Sequence, residues 1–293
     1  MSSTLAYRSY AKVNFYLEVL ARRDDGYHDL ETIFQTVDLF DELRFTETSS
    51  EVTLTCAAPN IGPPENNLVC RAAALLKKEC NCACGVHIEL TKRIPVAAGL
   101  AGGSGNAAAT LHALNRLWDL GLTDTCLHAL AKKLGADVPY CLIGGSMAAT
   151  ERGDLLSPIG PLPETWLVLL HPALSVSTAH VFNHPRLKCS ETEPVDKNTP
   201  ALARAIAAAE TGDWSRTLFN RLEDVVFEEH AELAELKQRL LDAGCAAAVM
   251  SGSGPTIFGV CETEQEAQHV ASTISDIETA VAKTVAIGVE QVE

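Results

Sequence analysis

The chain has 293 residues, 47% of them hydrophobic and 21% charged, which is typical of a globular protein with one large domain or two smaller ones. Its formal net charge of −15 argues against a broad surface for nucleic acid or anionic membrane, because such surfaces are basic. Ten cysteines are spread along the chain without an apolar signal segment, and no stretch is apolar for long enough to cross a bilayer. We therefore expect a cytoplasmic protein with reduced thiols that binds neither nucleic acid nor membrane.

The first half of the chain predicts strands and helices in irregular alternation. Alternating apolar and polar residues predict strands over residues 8–20, 33–47, 51–56 and 85–95, with a polar, turn-rich loop over residues 22–30. Apolar residues at helical spacing predict helices over residues 66–80, 106–118 and 123–135. A loop of small residues comes immediately before the second of these helices.

The proline-rich segment 157–166 is the expected boundary between two domains, residues 1–158 and residues 159–293. Beyond it we expect a buried strand over residues 166–172, helices over residues 201–220 and 228–244, and a strand, glycine turn and strand over residues 246–262. A helix over residues 264–275 and a strand over residues 284–289 complete the chain. This irregular order predicts an α+β fold.

Residues 95–108 read PVAAGLAGGSGNAA, with four glycines and one serine directly ahead of a predicted helix. Glycines in that place let backbone amides approach an anion closely, which indicates a phosphate site. A Walker A loop does not fit, since no lysine follows the glycines. The dinucleotide fingerprint fits residues 103–108 weakly, because no strand directly precedes them and Asp119 follows a helix. A nucleophile elbow would need a glycine in place of Asn106.

The pattern P-x-x-x-G-L-x-G-G-S-x-N-A-A resembles the phosphate-binding motif of the GHMP kinases, a family that uses a long glycine loop in place of Walker A. Five other segments resemble members of this family in the same chain order: residues 11–32, 134–140, 171–182, 219–223 and 250–259. Among them, DDGYH and LGADVP resemble in particular those members whose alcohol substrate carries a cytidine diphosphate group. The resemblance covers nearly the whole chain.

The resemblance implies a two-domain α+β fold, with a ribosomal-protein-S5-like N-terminal domain, a ferredoxin-like C-terminal domain and the active site between them. It implies ATP- and Mg²⁺-dependent phosphorylation of the 2-hydroxyl of a cytidine diphosphate-linked methylerythritol, in the non-mevalonate route to isoprenoid precursors. We expect a monomer or weak homodimer acting on this small molecule. The residues implied in ATP binding are Asn67, Leu68, Lys92, Pro95, Val96, Ala97, Ala98, Gly99, Leu100, Ala101, Gly102, Gly103, Ser104 and Gly105.

For catalysis, the resemblance nominates Lys12 and Asp137. The carboxylate would accept the proton of the hydroxyl, and the ammonium would stabilise the negative charge. Taken alone, Asp137 reads as a turn or helix cap before Pro139, and Lys12 as a solvated lysine on a strand. Asn14 shares the strand face of Lys12 and is a candidate for orienting the substrate.

For the cytidine, the resemblance implies that Tyr27 and Phe182 enclose the base, that His28 hydrogen-bonds its edge and that Thr178 lies nearby. The alternative is that Phe182 belongs to the core and His28 to a surface loop. The second glycine turn, residues 251–256, reads equally as a tight hairpin or as a contact for the substrate.

The glycine loop departs from the family pattern at one residue. The family loop usually carries two adjacent serines, whereas this chain has Ser104 followed by Gly105, so only Ser104 is expected to offer a hydroxyl there.

Cys80, Cys82 and Cys84, with His87, could supply zinc ligands, but their spacing lacks the usual C-x-x-C arrangement. We expect free thiols and no protein metal site. The rival functions are another GHMP kinase activity, a dinucleotide-dependent oxidoreductase and a non-catalytic binding protein.

Overall fold

The computed structural model describes residues 3–58, 61–190 and 199–292. Strands and helices are mixed along the chain, which confirms the predicted α+β class. The strands are β1 (Thr4–Arg22), β2 (His28–Thr48), β3 (Val52–Cys56), β4 (Gly85–Thr91), β5 (Ser146–Thr150), β6 (Leu155–Pro158), β7 (Trp166–His171), β8 (Phe219–Asn220), β9 (Ala247–Met250), β10 (Ile257–Cys261), β11 (Glu278–Val285) and β12 (Val289–Gln291). The helices are α1 (Leu68–Glu79), α2 (Gly102–Leu117), α3 (Asp124–Leu134), α4 (Val138–Ile143), α5 (Thr178–Phe182), α6 (Pro200–Glu210), α7 (Trp214–Thr217), α8 (Glu223–Glu229), α9 (Ala231–Asp242) and α10 (Glu264–Thr273).

The two long strands β1 and β2 form the centre of the first half. They pair antiparallel from Thr4 opposite Thr46 to Arg22 opposite His28, with three register shifts along the way. Such shifts bend a strand and increase its twist. The predicted loop over residues 22–30 therefore shortens to the residues between Arg22 and His28, and its last part becomes the start of β2.

Strands from the two halves of the chain belong to one connected sheet, in the order β12-β1-β2-β11-β7-β10-β9. β11 pairs with β7 along Glu278–Lys283 and with β2 at Thr284 and Val285, so the end of the chain returns to the first half. The division at residues 158 and 159 stays a prediction. None of the described helices combines the length and apolar character needed to cross a bilayer.

Helices α1, α2 and α3 cover one face of the first half. The predicted stripe of α2 is buried, with Ala107, Leu111 and Leu114 at 0% exposure, and it packs in one cluster with Leu76 of α1 and Leu130 of α3. These contacts hold the N-terminus of α2 in a fixed place, which matters because the glycine loop enters the helix there.

α2 begins at Gly102 and not at the predicted residue 106, because the glycines are part of its first turn. A Cβ on Gly102 would lie 2.9 Å from Ile94 Cγ2, and one on Gly105 would lie 3.4 Å from Ser9 Cβ and from the carbonyl oxygen of Tyr10. The missing side chains therefore allow the first turn of the helix to pack closely against β1 and Ile94.

The two long helices predicted in the second half are each interrupted. Residues 201–220 divide into α6, α7 and the short strand β8, with Gly212 at φ +73° between the helices. β8 then pairs with β1, so tertiary pairing overrides helical propensity there. In the other predicted helix, residues 228–244, His230 adopts φ −135° and separates α8 from α9. α5 was not predicted at all.

Ala101, at the start of α2, gives a test of backbone strain. It has φ +55° and ψ +26°, a left-handed conformation that costs a residue with a Cβ about 1–2 kcal/mol. Glycine loses more chain entropy on folding, so Ala101→Gly is expected to raise the free energy of unfolding by about 0.5–1 kcal/mol. The matched control is Ala207→Gly, inside α6, which should instead lower the free energy of unfolding by about 1 kcal/mol. Urea denaturation compares the two variants, and a destabilising Ala101→Gly contradicts the interpretation.

Candidate active site

A cavity of about 1190 Å³ lies where the N-terminal strands, the glycine loop and the second half of the chain meet. Pockets for single small ligands are typically about 300–1,000 Å³, so this one has room for two substrates. Most of the predicted site residues line it: Lys12, Asn14, Tyr27, His28, Asn67, Leu68, Lys92, Pro95, Val96, Ala97, Ala98, Gly99, Ala101, Gly102, Gly103, Ser104, Asp137, Thr178 and Phe182. Leu100 and Gly105 are not among the lining residues; Leu100 is a core residue at 2% exposure.

The glycine loop delivers the N-terminus of α2 to this cavity. Ala101, the residue immediately before the helix, has no polar side chain, so it does not cap the amides of the first turn. A Cβ on Gly103 would meet only Leu68 Cδ1, at 3.8 Å. The amide end of the helix, which carries partial positive charge, is therefore accessible from the cavity and suited to an anion.

The second glycine turn holds the first one in place. Ser251 Oγ donates a hydrogen bond to the Gly99 carbonyl at 3.0 Å, and Lys12 N donates to the Leu100 carbonyl at 3.1 Å. Residues 251–256 form the hairpin between β9 and β10, and Gly252 and Ser253 also line the cavity. The predicted hairpin is therefore present and also forms part of the cavity wall, whereas its contact with the substrate stays a prediction.

Lys12 is buried, with 4% of its surface exposed, so it is not the solvated strand lysine considered above. Its Nζ donates to Asn14 Oδ1 at 2.7 Å, and Asn14 Nδ2 donates to Thr32 Oγ1 at 2.8 Å. The Thr32 hydroxyl donates in turn to the Tyr16 carbonyl at 2.6 Å. This chain of hydrogen bonds fixes a desolvated ammonium group at the cavity wall. Thr32 also lines the cavity, and no sequence motif pointed to it.

Asp137 precedes α4, but its side chain makes no capping hydrogen bond to the helix. The carboxylate thus has no structural role of the kind that a helix cap would give it. Lys12 and Asp137 both line the cavity, and both influence the buried thiol of Cys141. Burial raises the pKa of Cys141, the charge of Asp137 raises it further, and the charge of Lys12 lowers it. The two residues, distant in the sequence, therefore line one cavity and both lie near this thiol.

Asp41 is a buried acid that the sequence did not reveal. The pairing of Glu42 with Thr91 brings Asp41 beside Lys92, and the two side chains form an ion pair. Asp41 Oδ1 also accepts hydrogen bonds from the Arg93 and Ile94 amides at 2.7 and 2.9 Å. Only strand register brings these groups together, so no local pattern could have signalled the contact.

Asn67 lines the cavity while its side chain caps α1. Its Oδ1 accepts from Val69 N at 2.9 Å, and its Nδ2 donates to the Ile61 carbonyl at 3.0 Å. An N-cap residue stabilises the first turn of a helix. Asn67 therefore fixes the edge of the cavity where Leu68 begins α1.

Aromatic groups gather at the other end of the cavity. The His28 and Phe182 rings have centroids 5.5 Å apart, and the Tyr27 ring is 59% exposed with Arg152 Cζ 5.1 Å from its centroid. Burial lowers the pKa of His28, and the positive charge of Arg22 lowers it further, so the imidazole is neutral at pH 7. An exposed ring and a neutral imidazole are groups that can stack on a base and bond to its edge.

Thr178 closes this end of the cavity together with Ser253. Their hydroxyl oxygens lie 2.7 Å apart, which joins the N-terminus of α5 to the second glycine turn.

Elsewhere, Cys80, Cys82 and Cys84 are partly buried free thiols, and His87 Nδ1 shares a hydrogen bond with Thr53 Oγ1 on the neighbouring strand.

The family description GHMP kinases N terminal domain matches residues 67–145, and GHMP kinases C terminal matches residues 184–277. The chain is 43% identical to the 4-diphosphocytidyl-2-C-methyl-D-erythritol kinase of Synechococcus sp. strain JA-2-3B'a(2-13) over 271 residues, which cover 90% of this chain and 87% of that one. It is 41% identical to the enzyme of the same name from Geobacillus kaustophilus strain HTA426 over 268 residues, which cover 91% of each chain.

Solved structures agree with these matches. A crystal structure of 4-(cytidine 5'-diphospho)-2C-methyl-D-erythritol kinase superposes with a TM-score of 0.82 at 33% identity, covering 96% of this chain and 99% of that one. Homoserine kinase from Cytophaga hutchinsonii shares the fold, with a TM-score of 0.77 at 20% identity and coverage of 100% and 98%. The predicted two-domain GHMP kinase fold is thereby confirmed. The protein belongs to the GHMP kinase family, in the group of the 4-diphosphocytidyl-2-C-methyl-D-erythritol kinases.

Proposed function

We propose that this protein transfers the γ-phosphoryl group of ATP to the 2-hydroxyl of 4-diphosphocytidyl-2-C-methyl-D-erythritol, in the non-mevalonate route to isoprenoid precursors. One observation carries the proposal: an anion-binding helix end, the pair Lys12 and Asp137, and the His28–Phe182 aromatic pair all line one cavity. The names of the relatives described above support the same activity.

The triphosphate of ATP is proposed to lie against the glycine loop, with the first amides of α2 as its hydrogen-bond donors. Close approach of backbone to phosphate needs a surface without side chains, and Gly102 and Gly103 supply it. Lys92, held by Asp41, and the α1 cap at Asn67 are proposed to border the adenosine end.

The chemical step needs a group that takes a proton and a group that offsets negative charge. In the proposed step the substrate oxygen bonds to the γ-phosphorus, the bond from that phosphorus to the β,γ-bridging oxygen breaks, and ADP leaves. The hydroxyl proton passes to the Asp137 carboxylate. Lys12 stabilises both this carboxylate and the charge on the transferring group, and its burial strengthens these interactions.

Mg²⁺ is proposed to accompany ATP. This ion takes oxygen ligands, often one or two from the protein and the rest from phosphates and water. The cavity offers the Ser104 hydroxyl and the Asp137 carboxylate, which fit that requirement. When bound, the ion would neutralise charge on the phosphates. Because residue 105 is glycine, it contributes no hydroxyl of its own.

The cytidine is proposed to stack between Tyr27 and Phe182, with His28 at the base edge, Thr178 close to the substrate, and Asn14 orienting its methylerythritol end. This arrangement is supported by the exposed Tyr27 ring and by the pairing of His28 with Phe182. It separates the proposal from a kinase acting on an alcohol without a nucleotide, because such an enzyme has no use for a base-stacking surface.

An assay of ATP consumption across alcohols with and without a cytidine diphosphate group tests the function. We expect turnover only with the cytidine-linked alcohol. Phe182→Ala is expected to raise the KM for this substrate about 5–150-fold, since base stacking is worth about 1–3 kcal/mol, and to leave the KM for ATP unchanged.

The matched control for this variant is Phe227→Ala, which removes another partly buried ring from the same core cluster without touching the cavity. It should change neither KM. An equal rise in both KM values on substitution of Phe182 contradicts the stacking role. Turnover of alcohols that lack the cytidine group would contradict the proposed substrate.

The proposal also includes the setting of the enzyme. Net charge −15 supports an enzyme that acts on a small molecule and not on nucleic acid or membrane, and we propose that it works in the cytoplasm. We propose a monomer or weak homodimer, which sedimentation velocity at several concentrations tests directly.

A further inference from the structure

Two histidines and a glutamate meet on the surface behind α5. His180 Nε2 lies 3.0 Å from both carboxylate oxygens of Glu229, and His184 Nε2 lies 3.4 Å from Glu229 Oε1. All three ligand atoms lie within 4.8 Å of one another. The side chains are 56%, 14% and 33% exposed for His180, His184 and Glu229, so an ion from solvent can reach them.

This group is separate from the cavity. Thr178, Phe182 and Asn183 line the cavity, whereas His180 and His184 do not. The two imidazole rings lie close together, with centroids 5.7 Å apart, His180 within α5 and His184 two residues beyond its end. Glu229 is the last residue of α8. The three side chains therefore join two elements of the second half of the chain.

Two of the three distances between ligand atoms are close to those of a tetrahedral metal site, and no pair of ligand atoms is more than 4.8 Å apart. Two ligands bound to zinc at about 2.0–2.1 Å are about 3.3–3.4 Å apart in tetrahedral geometry. The two histidine-to-glutamate distances, 3.0 and 3.4 Å, are close to that value. The set of two imidazoles and one carboxylate suits zinc and similar transition metals, whereas Mg²⁺ prefers oxygen ligands throughout.

We propose that His180, His184 and Glu229 bind one divalent cation of the zinc type, with a fourth position open to water. Each imidazole binds through Nε2, so the proton on that nitrogen moves to Nδ1 or to solvent when the metal enters. In His184 a proton on Nδ1 replaces the hydrogen bond that this nitrogen accepts from Arg186 N at 3.3 Å. The bound ion would tie α5 to the end of α8. This site is independent of the Mg²⁺ that accompanies ATP.

Calorimetric titration of the reduced, metal-free full chain with Zn²⁺ tests the proposal. We expect one strong site that excess Mg²⁺ does not displace. Substitution of a direct ligand, as in His184→Ala or Glu229→Gln, should weaken Zn²⁺ binding by at least about 10–100-fold, the loss already seen when outer partners of metal ligands are removed. His269→Ala and Glu235→Gln, at exposed positions elsewhere, should leave it unchanged.

The thiols require their own control, because cysteines also bind zinc. The triple variant Cys80→Ser, Cys82→Ser, Cys84→Ser should keep the strong site. His180→Ala is the safeguard against misfolding, since that side chain is the most exposed of the three ligands. The proposal fails if the full chain binds no Zn²⁺ at micromolar concentrations, if the histidine variants bind as tightly as the parent, or if the triple variant abolishes binding.

Discussion

Replacing Asp137 with asparagine is expected to lower kcat by about a thousandfold or more and to leave ATP binding intact. Asparagine has nearly the same size and shape, but its amide cannot take the proton of the substrate hydroxyl. A thousandfold loss corresponds to about 4 kcal/mol of activation free energy. Single-turnover kinetics with the cytidine-linked substrate, together with an ATP titration, measure the two effects separately.

The structure makes this variant a clean test of chemistry. The Asp137 side chain does not cap α4, so its replacement removes no helix-capping hydrogen bond. Loss of a negative charge near a helix N-terminus typically costs about 0.3–1 kcal/mol and at most about 2 kcal/mol. Asp124→Asn, in the exposed first turn of α3 and outside the cavity, is the matched control and should retain full activity. Near-normal turnover in the Asp137 variant would remove this residue from the mechanism.

Substitution of Lys12 provides a second test of the proposed catalytic pair. If the ammonium acts by stabilising the Asp137 carboxylate and the transferring group, then the two residues function as a unit. Effects of residues in one catalytic unit are far from additive. Lys12→Met combined with Asp137→Asn should therefore be little worse than the more damaging single variant.

Local sequence patterns were sufficient to predict the helices whose buried residues recur at helical spacing. The apolar stripe of α2 is buried, as its helical spacing predicts, and Thr123, the first residue of the predicted helix 123–135, caps α3 through its side chain. The glycine loop could be identified because glycine content and helix position are both local properties. The family motif then supplied Lys12 and Asp137, which lie far apart in the sequence.

Contacts that depend on strand pairing could not be predicted from local sequence patterns. Asp41 reaches Lys92 only through the register of β2 with β4, and Thr32 joins the Lys12 network only because β1 and β2 pair. α5 has five residues, too few to show a helical period. The strand that follows α7 forms because β8 pairs with β1, a long-range contact that no window of residues contains.

Gly99→Ala is the second substitution with a large expected effect. Gly99 has φ +76°, and a Cβ there would lie 2.1 Å from the Ser251 carbonyl oxygen and 3.1 Å from that of Gly254. The left-handed conformation alone costs about 1–2 kcal/mol, and overpacking of a tight site typically adds about 1–3 kcal/mol. Alanine also restricts the unfolded chain, which reduces the net conformational cost to about 0.5–1 kcal/mol, so we expect a total loss of about 1.5–4 kcal/mol in the free energy of unfolding, measured by urea denaturation.

The neighbouring turn has little freedom to move away from the added methyl group. Ser251 N donates to the Thr256 carbonyl at 2.9 Å, and the Ser251 carbonyl accepts from Gly254 N at 2.9 Å. Asn220 Nδ2 donates to the Met250 and Gly252 carbonyls at 2.7 Å each. The glycine loop must therefore shift instead, and it carries the proposed phosphate donors with it.

Gly121→Ala separates the two contributions. Gly121 has φ +65°, and a Cβ there would meet no atom of a surrounding residue within 4 Å, so its substitution has the conformational cost without the clash. It should destabilise the protein by only about 0.5–1 kcal/mol, because the lower entropy of the unfolded alanine chain offsets part of the conformational cost, and it should leave ATP affinity unchanged. The Gly99 variant should lose more stability and also bind ATP more weakly. Equal stability losses with unchanged ATP affinity in both variants would show that contact between the two glycine turns does not position the nucleotide.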